Sequence, residues 1–220
     1  MIGRAHMAQP SRSGSAARRV SDALTAPLHL ILPTILLMTI TAAAFLYGDT
    51  RVAWLGAVIG EWLTLGHLLL PLTFLAIHIT NRRYGAGYAF AQIVSAWAFG
   101  AAILWSMRGH LPFVASGALP DVREVFAFGS ALLLAQIMAV LVFDVTRGPR
   151  WWQAPFFASL WGGLVLSLIA FPVAYSGTPV DWIGHMLIYL GITIGAAFAL
   201  VIPYWAIRGM VPPLSGFGGY

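Results

Sequence analysis

The stretch Leu70–Gly85, LPLTFLAIHITNRRYG, decides the fold of this chain. It begins as an apolar helix, carries an imidazole at His78, and ends in Asn81 and an arginine pair before a glycine. In a soluble protein this pattern would be a buried helix with a basic end. Because long apolar runs surround it, the pattern here indicates a membrane helix whose arginines mark the cytoplasmic side and whose histidine lies at membrane depth.

The composition excludes a soluble domain. The 220 residues are 60% hydrophobic and only 9% charged, too few charges to cover a soluble surface. All 12 basic residues are arginine and the net charge is +5. These arginines stand singly or in pairs between apolar runs, so we expect a lipid bilayer and no nucleic acid as partner. The absence of cysteine excludes a disulfide framework and a thiolate metal site.

The apolar runs predict an all-α polytopic membrane protein with six transmembrane helices. The helices are expected at about 27–48, 67–81, 84–107, 122–145, 152–175 and 181–207. The chain then divides into a disordered cytoplasmic tail at 1–26, a six-helix transmembrane domain at 27–208 and a cytoplasmic Pro/Gly tail at 209–220. A cleavable signal peptide is the alternative for the first apolar run.

Residues 49–66 are apolar, but glycines and Glu61 break the run before Pro71 interrupts it. This segment is too short to span a membrane. We predict a short extracellular hairpin or a re-entrant segment, with a half-helix as the alternative.

The arginines predict the orientation in the membrane. With the N-terminus inside, nine arginines lie in cytoplasmic segments and three in outer segments. The inner group is Arg4, Arg12, Arg18, Arg19, Arg82, Arg83, Arg147, Arg150 and Arg208, and the outer group is Arg51, Arg108 and Arg123. This distribution follows the positive-inside rule, so both termini are expected in the cytoplasm.

Uncharged polar side chains near the bilayer midplane are the candidate ligand contacts. Gln136 and Thr193 fall near that depth, and Ser159 lies within a turn or two of it, at a rise of about 1.5 Å per residue. Amide and hydroxyl groups suit a small, neutral, planar ligand better than an ion. The alternative is that these groups bond helix backbone and hold the bundle together.

His78 has two interpretations: an imidazole bonded to a neighbouring helix, or a ligand contact or proton acceptor. His67 precedes it by eleven residues on nearly the same face, which raises a haem hypothesis. The two would lie only about 16 Å apart along a helix. His29 and His185 are isolated and close to helix ends, so we expect no cofactor and no metal.

No catalytic set is visible in the sequence. There is no Ser/His/Asp spacing, no HExxH motif and no phosphate-binding loop. We therefore expect a protein that is not an enzyme, and any active transport would need a gradient, a separate ATPase or exchange.

Three segments resemble the VUT family of queuosine precursor transporters. They are PLTFLAIHITNRRYG, AFGSALLLAQIMAVLVFD and RGPRWWQAPFFASLWGG, in family order and spacing within about 68–204. Arg123 and Gln136 fall where the family has an arginine and a glutamine on the fourth helix. The resemblance implies a multi-pass protein of the bacterial inner membrane, similar in architecture to the substrate-binding components of energy-coupling-factor transporters. It also implies uptake of deazaguanine queuosine precursors.

The chain departs from the family pattern at its intramembrane charges. Ile77 and His78 stand where the family has a Thr-Asp pair, and Thr193 stands where it has a lysine. Family aspartates correspond to Ala139, Leu166 and Tyr189, and a family asparagine corresponds to Gly163. Acids and a base are lost together, so the interior remains neutral and no unpaired buried charge is left.

These observations predict a VUT-type membrane transporter that takes up a small planar heterocycle such as a deazaguanine queuosine precursor. The expected substrate-binding residues are Gln136, His78, Asn81, Ser159 and Thr193, with Arg123 at the outer entrance. The alternative is a non-transporting membrane module, either a haem-bearing electron carrier or a partner-binding subunit. The sequence leaves open whether copies of the chain form a homo-oligomer.

Overall fold

The computed structural model describes residues 12–107 and 121–214, and the fold in these ranges is helical. The helices are α1 (Arg12–Leu46), a 3-10 turn (Ala53–Leu55), α2 (Ala57–Gly60), α3 (Leu65–Leu69), α4 (Leu72–Tyr84), α5 (Ala86–Met107), α6 (Val122–Val145), α7 (Gln153–Tyr175) and α8 (Trp182–Arg208). Residues 1–11 of the predicted disordered tail lie outside the described residues, whereas 12–26 are helical and continuous with the rest of α1.

Five helices in the described residues are long and apolar enough to cross a membrane. The spans are His29–Leu46, Ala86–Ile103, Val122–Val145, Gln153–Tyr175 and Trp182–Arg208. Large apolar side chains on them, such as Leu32, Phe126 and Ile202, point away from the protein interior, as they would toward lipid. These spans confirm the prediction of an all-α protein with several membrane-spanning helices.

The predicted second transmembrane helix differs from the other five because it is interrupted. Pro71 separates the five-residue α3 from α4. At this break the backbone forms hydrogen bonds between residues three apart, from Thr73 N–H to the Leu70 carbonyl and from Phe74 N–H to the Pro71 carbonyl. Proline has no N–H to continue the α-helical ladder, which explains the break. Together α3 and α4 cover residues 65–84, which would extend about 30 Å if straight.

Helix α4 lies at the centre of the bundle and contacts α1, α5, α6, α7 and α8. Eight of its residues are buried, namely Thr73, Phe74, Ala76, Ile77, His78, Thr80, Asn81 and Arg82. Because the neighbouring helices shield α4 from lipid, it can carry polar side chains that the other helices could not expose.

Adjacent glycines on α7 allow this close packing. A Cβ atom at Gly162 would lie 2.8 Å from the Phe74 ring of α4, and a Cβ atom at Gly163 would lie 2.7 Å from the Thr193 side chain of α8. Small residues at such contacts let membrane helices approach closely, where dispersion contacts replace the hydrophobic effect as the driving force.

Residues 47–66 fold into a hairpin against the end of α1. Arg51 and Thr64 form an antiparallel bridge, and Gly66 N–H donates to the Tyr47 carbonyl at 3.0 Å. Gly66 lies so close to the carbonyl of Ala44 that any side chain there would clash with the α1 backbone. The segment doubles back on itself, which both the hairpin and the re-entrant prediction require, and its depth and side in the membrane stay predictions.

The described arginines separate to the two ends of the bundle. At the first end, which we call the Arg82 end, Arg82 Nε donates to the Val211 carbonyl at 2.9 Å and Arg147 donates to the Asn81 carbonyl at 2.6 Å. Arg208 lies over the Trp151 ring at this same end. At the opposite end, which we call the Arg123 end, lie the hairpin with Arg51 and the start of α6 with Arg123.

Candidate functional site

His78 and Ser159 form a polar contact between helices inside the bundle. His78 is 1% exposed, and its Nε2 lies 3.0 Å from the Ser159 hydroxyl on α7. One face of the imidazole stacks on the Phe143 ring of α6 at 5.1 Å. The other ring nitrogen, Nδ1, is buried and has no hydrogen-bond partner among the described residues. Whichever tautomer is present, this nitrogen keeps an unused donor or acceptor.

Gln136 occupies a similar environment between α5 and α6. It is fully buried, and its Oε1 accepts a hydrogen bond from Trp97 Nε1–H at 2.9 Å. Its amide nitrogen is buried and has no partner among the described residues. A buried amide in an apolar interior normally satisfies its donors, so this nitrogen needs an explanation.

Asn81 has a structural role at the Arg82 end. Its amide nitrogen donates to the Val140 carbonyl of α6 at 3.3 Å, and its side-chain oxygen accepts from Arg147. Both polar atoms of the side chain are therefore engaged by neighbouring helices.

Thr193 and Arg123 are also engaged by backbone. The Thr193 hydroxyl donates to the Leu190 carbonyl of its own helix at 2.9 Å. Arg123 donates to the Val173 carbonyl at 2.9 Å and to the Ser176 carbonyl at 2.7 Å, at the C-terminal end of α7. These two carbonyls belong to the group that an α-helix leaves unsatisfied at its end, so Arg123 caps α7.

The six predicted site residues therefore do not form one constellation. Of these, His78 and Ser159 bond each other, Gln136 pairs with Trp97, and Arg123 lies at the end opposite to Asn81. Only His78 and Gln136 keep an unpartnered polar atom. The interpretation that polar groups hold the bundle together describes Asn81, Thr193 and Arg123.

A cavity of about 40 Å³ lies at the Arg123 end of the bundle. Its lining comes from the end of α1, from α3, and from the facing ends of α6 and α7. The lining residues are Ala44, Phe45, Gly48, Thr64, Gly66, His67, Leu70, Glu124, Val125, Phe128 and Tyr175. None of the six predicted site residues is among them, so the sequence analysis missed this cavity.

Aromatic rings surround His67 behind the cavity. The imidazole packs against Trp62, Phe128, Phe171 and Tyr189, with ring centroids 4.9–6.3 Å apart. Tyr189 also donates its hydroxyl proton to the His67 carbonyl at 3.0 Å. These contacts tie α3 to α6, α7 and α8.

Thr64 and His67 form a capping box that begins α3. The Thr64 side chain accepts from the His67 N–H, and His67 Nδ1 accepts from the Thr64 N–H at 3.2 Å. Because Nδ1 is engaged in this way, Nε2 is the ring nitrogen left for a ligand. The sequence signal was the Thr-x-x-His spacing, with histidine in the place of the usual Glu or Gln.

The histidines give no specific support to the haem hypothesis. His185 stacks on Trp62 at 4.3 Å, and Trp62 also contacts His67. The space beside His67 holds about three water molecules. Within residues 12–107 and 121–214, no group of three or more His, Cys, Asp or Glu residues is arranged to hold a metal ion.

The fold and these buried contacts define a multi-pass helical membrane protein with a neutral polar interior. Comparison of the chain with protein-family models, with curated proteins and with solved structures gives no match. The VUT resemblance therefore rests on the three sequence segments quoted above and is a proposal.

Proposed function

We propose that this protein is a VUT-type transporter that takes up a small planar heterocycle, such as a deazaguanine queuosine precursor, across the bacterial inner membrane. The proposed ligand contacts are His78, to which Ser159 is bonded, and Gln136, which pairs with Trp97. Asn81, Thr193 and Arg123 are positioning residues that hold α4, α6, α7 and α8 in place. Both termini are cytoplasmic, in accordance with the arginines at the Arg82 end.

Four buried side-chain atoms have no hydrogen-bond partner among the described residues, namely Thr34 Oγ1, His78 Nδ1, Gln92 Oε1 and Gln136 Nε2. The observation that carries this proposal is that two of them, on His78 and Gln136, belong to residues expected from the sequence to contact a ligand. A buried polar group without a hydrogen bond costs about 1–3 kcal/mol. A polar solute would satisfy both atoms when the helices part to admit it. In the described structure the surrounding helices are packed together, which corresponds to a closed state.

The neutrality of the interior supports an uncharged solute. The candidate contacts are an imidazole, an amide and a hydroxyl, and no Asp or Glu is among the buried residues within the described part of the chain. Such groups recognise the donors and acceptors on the edge of a heterocycle.

Uptake of a labelled deazaguanine precursor into cells that lack their own importer tests the proposal. Expression of this chain should restore uptake, and Gln136→Leu should lower the uptake rate at least tenfold, because a ligand hydrogen bond is worth about 1.4 kcal/mol. The control is Ser167→Ala, which removes another fully buried polar group, one whose hydroxyl already donates to the Gly163 carbonyl of its own helix. This control should retain uptake within about twofold.

Two outcomes would contradict parts of the proposal. If well-expressed wild-type protein restores no uptake, the deazaguanine precursor is not its substrate. If Gln136→Leu and Ser167→Ala lower uptake equally at equal protein levels, Gln136 acts through packing and is not a ligand contact.

A further inference from the structure

The cavity at the Arg123 end contains an acidic group that has no cationic partner among the described residues. Glu124, in the first turn of α6, is half-buried and is the one carboxylate among the described lining residues. The ion pair found within residues 12–107 and 121–214 joins Arg147 to Asp144 at the Arg82 end, so Glu124 takes no part in it. Its neighbour Arg123 directs its guanidinium to the α7 carbonyls of Val173 and Ser176.

The walls around this carboxylate are suited to positive charge. Phe45, Phe128 and Tyr175 line the cavity, and the Tyr175 hydroxyl lies beside the Glu124 carboxylate. The faces of aromatic rings carry negative potential and attract ammonium and guanidinium groups.

The size of the cavity limits what can enter it. A volume of about 40 Å³ corresponds to about three water molecules. A single ammonium or guanidinium head group is of the right size for this space, with any attached chain directed outward.

We propose that the cavity between α1, α3, α6 and α7 binds the cationic head group of a small organic cation, with Glu124 as its counter-ion and Phe45, Phe128 and Tyr175 as its walls. The site is separate from His78 and Gln136, so it stands whether or not the protein transports a heterocycle. It lies at the end of the bundle where a solute arriving from outside would first contact the protein in the proposed orientation.

Isothermal titration calorimetry of the purified full-length protein in detergent tests this site with methylguanidinium and N-methylurea. The two probes have nearly the same shape, but only methylguanidinium is charged. We expect methylguanidinium to bind at least tenfold more tightly than N-methylurea, because N-methylurea lacks the charge-assisted bond to the carboxylate. Equal dissociation constants for the two probes would overturn the proposal.

A matched pair of variants assigns the preference to the cavity. Glu124→Gln should abolish the discrimination between the two probes. Glu61→Gln removes an exposed carboxylate from the hairpin at the same end, outside the cavity lining, and should leave the discrimination unchanged. If Glu124→Gln keeps the full discrimination, or if Glu61→Gln abolishes it, the cavity is not the cation site.

A wall variant gives a second test that keeps the carboxylate in place. Phe128→Leu retains an apolar side chain but removes one ring face, and it should weaken methylguanidinium binding about threefold while leaving N-methylurea unaffected. An unchanged affinity for methylguanidinium in this variant would exclude the aromatic wall from the site.

Discussion

At the scale of single residues, the His78–Ser159 contact shows how a polar pair can be stable inside a membrane bundle. The two side chains bond each other across α4 and α7, and each is at least 97% buried. Removing one partner leaves the other unsatisfied in an apolar medium, whereas removing both leaves nothing to satisfy. The energetic value of the pair therefore lies in the coupling between its members.

A double-mutant cycle measures that coupling. Ser159→Ala should lower the free energy of unfolding by about 1–2 kcal/mol, because the imidazole loses its remaining partner. The double variant His78→Leu, Ser159→Ala should cost less than the sum of the two single changes. Thermal unfolding in detergent, calibrated by reversible denaturation, gives the values.

Ser167→Ala is the control for this cycle. Ser167 is also fully buried on α7, but its hydroxyl donates to the Gly163 carbonyl of its own helix at 2.8 Å. Its removal should change the unfolding free energy by less than about 0.5 kcal/mol. Equal losses for Ser159→Ala and Ser167→Ala, or a strictly additive cycle, would contradict the coupling.

At the scale of elements, the position of α4 depends on the surface that α7 presents to it. Phe74 of α4 fills the space above Gly162, and the neighbouring Gly163 accommodates Thr193 of α8. Two consecutive glycines on one helix thus accept side chains from two different helices. This arrangement brings Ser159, one turn earlier on α7, within reach of His78.

Gly162→Ala should therefore move α4 away from α7. The added Cβ atom would lie 2.8 Å from the Phe74 ring, which cannot yield within a packed core. We expect a loss of about 1–3 kcal/mol in unfolding free energy. Phe74→Leu in the same chain should recover part of the loss, because it removes the ring that clashes.

Gly191→Ala is the matched control on α8, since a Cβ atom there meets no other atom within 4 Å. It should be neutral or slightly stabilising, because alanine has the higher helix propensity. The packing explanation would fail if Gly162→Ala and Gly191→Ala had the same effect on unfolding.

At the scale of the whole molecule, the two ends of the bundle carry different chemistry. The Arg82 end gathers Arg82, Arg147 and Arg208, and the chain segment at Val211–Leu214 is bonded to α4 there, with Leu214 N–H donating to the Arg82 carbonyl. The Arg123 end holds the hairpin and the cavity. This polarity is a physical basis for one orientation in a membrane with a cytoplasmic preference for positive charge.

Cysteine accessibility tests that orientation directly, because the chain contains no native cysteine. Pro149 and Pro179 are both exposed and lie in turns at the Arg82 end and the Arg123 end, respectively. In intact cells, a membrane-impermeant maleimide should label Pro179→Cys and not Pro149→Cys. After the membrane is permeabilised, both should react. Labelling of Pro149→Cys alone in intact cells would reverse the orientation.

The sequence by itself determined the class of the protein and the division of its described arginines between the two ends of the bundle. Apolar length predicts the spans because an unsatisfied backbone cannot lie in lipid, and arginines at their ends are costly to move across a membrane. Because arginines mark the ends of the apolar spans, the order of spans along the sequence was enough to assign each described arginine to one of two groups. The interruption of the second predicted helix at Pro71 could also be expected from the sequence, because proline has no backbone N–H.

Only the tertiary structure decided which polar residues have partners. Position along a helix places Gln136, Ser159 and Thr193 at membrane depth, but the rise per residue does not show which neighbouring atoms each side chain contacts. The folded chain pairs Thr193 with its own backbone, commits Arg123 to capping α7, and leaves one atom unpartnered on His78 and one on Gln136.

In the stretch Leu70–Gly85, too, the local sequence determined some features and the tertiary structure determined others. Its pattern specified a helix with a basic end, but its central position in the bundle depends on contacts with five other helices. The cavity around Glu124 likewise joins residues from 44 to 175, and packing alone brings them together. Local sequence fixes hydrogen-bonded helices and their ends, whereas contacts between distant segments depend on how the surfaces of those helices fit.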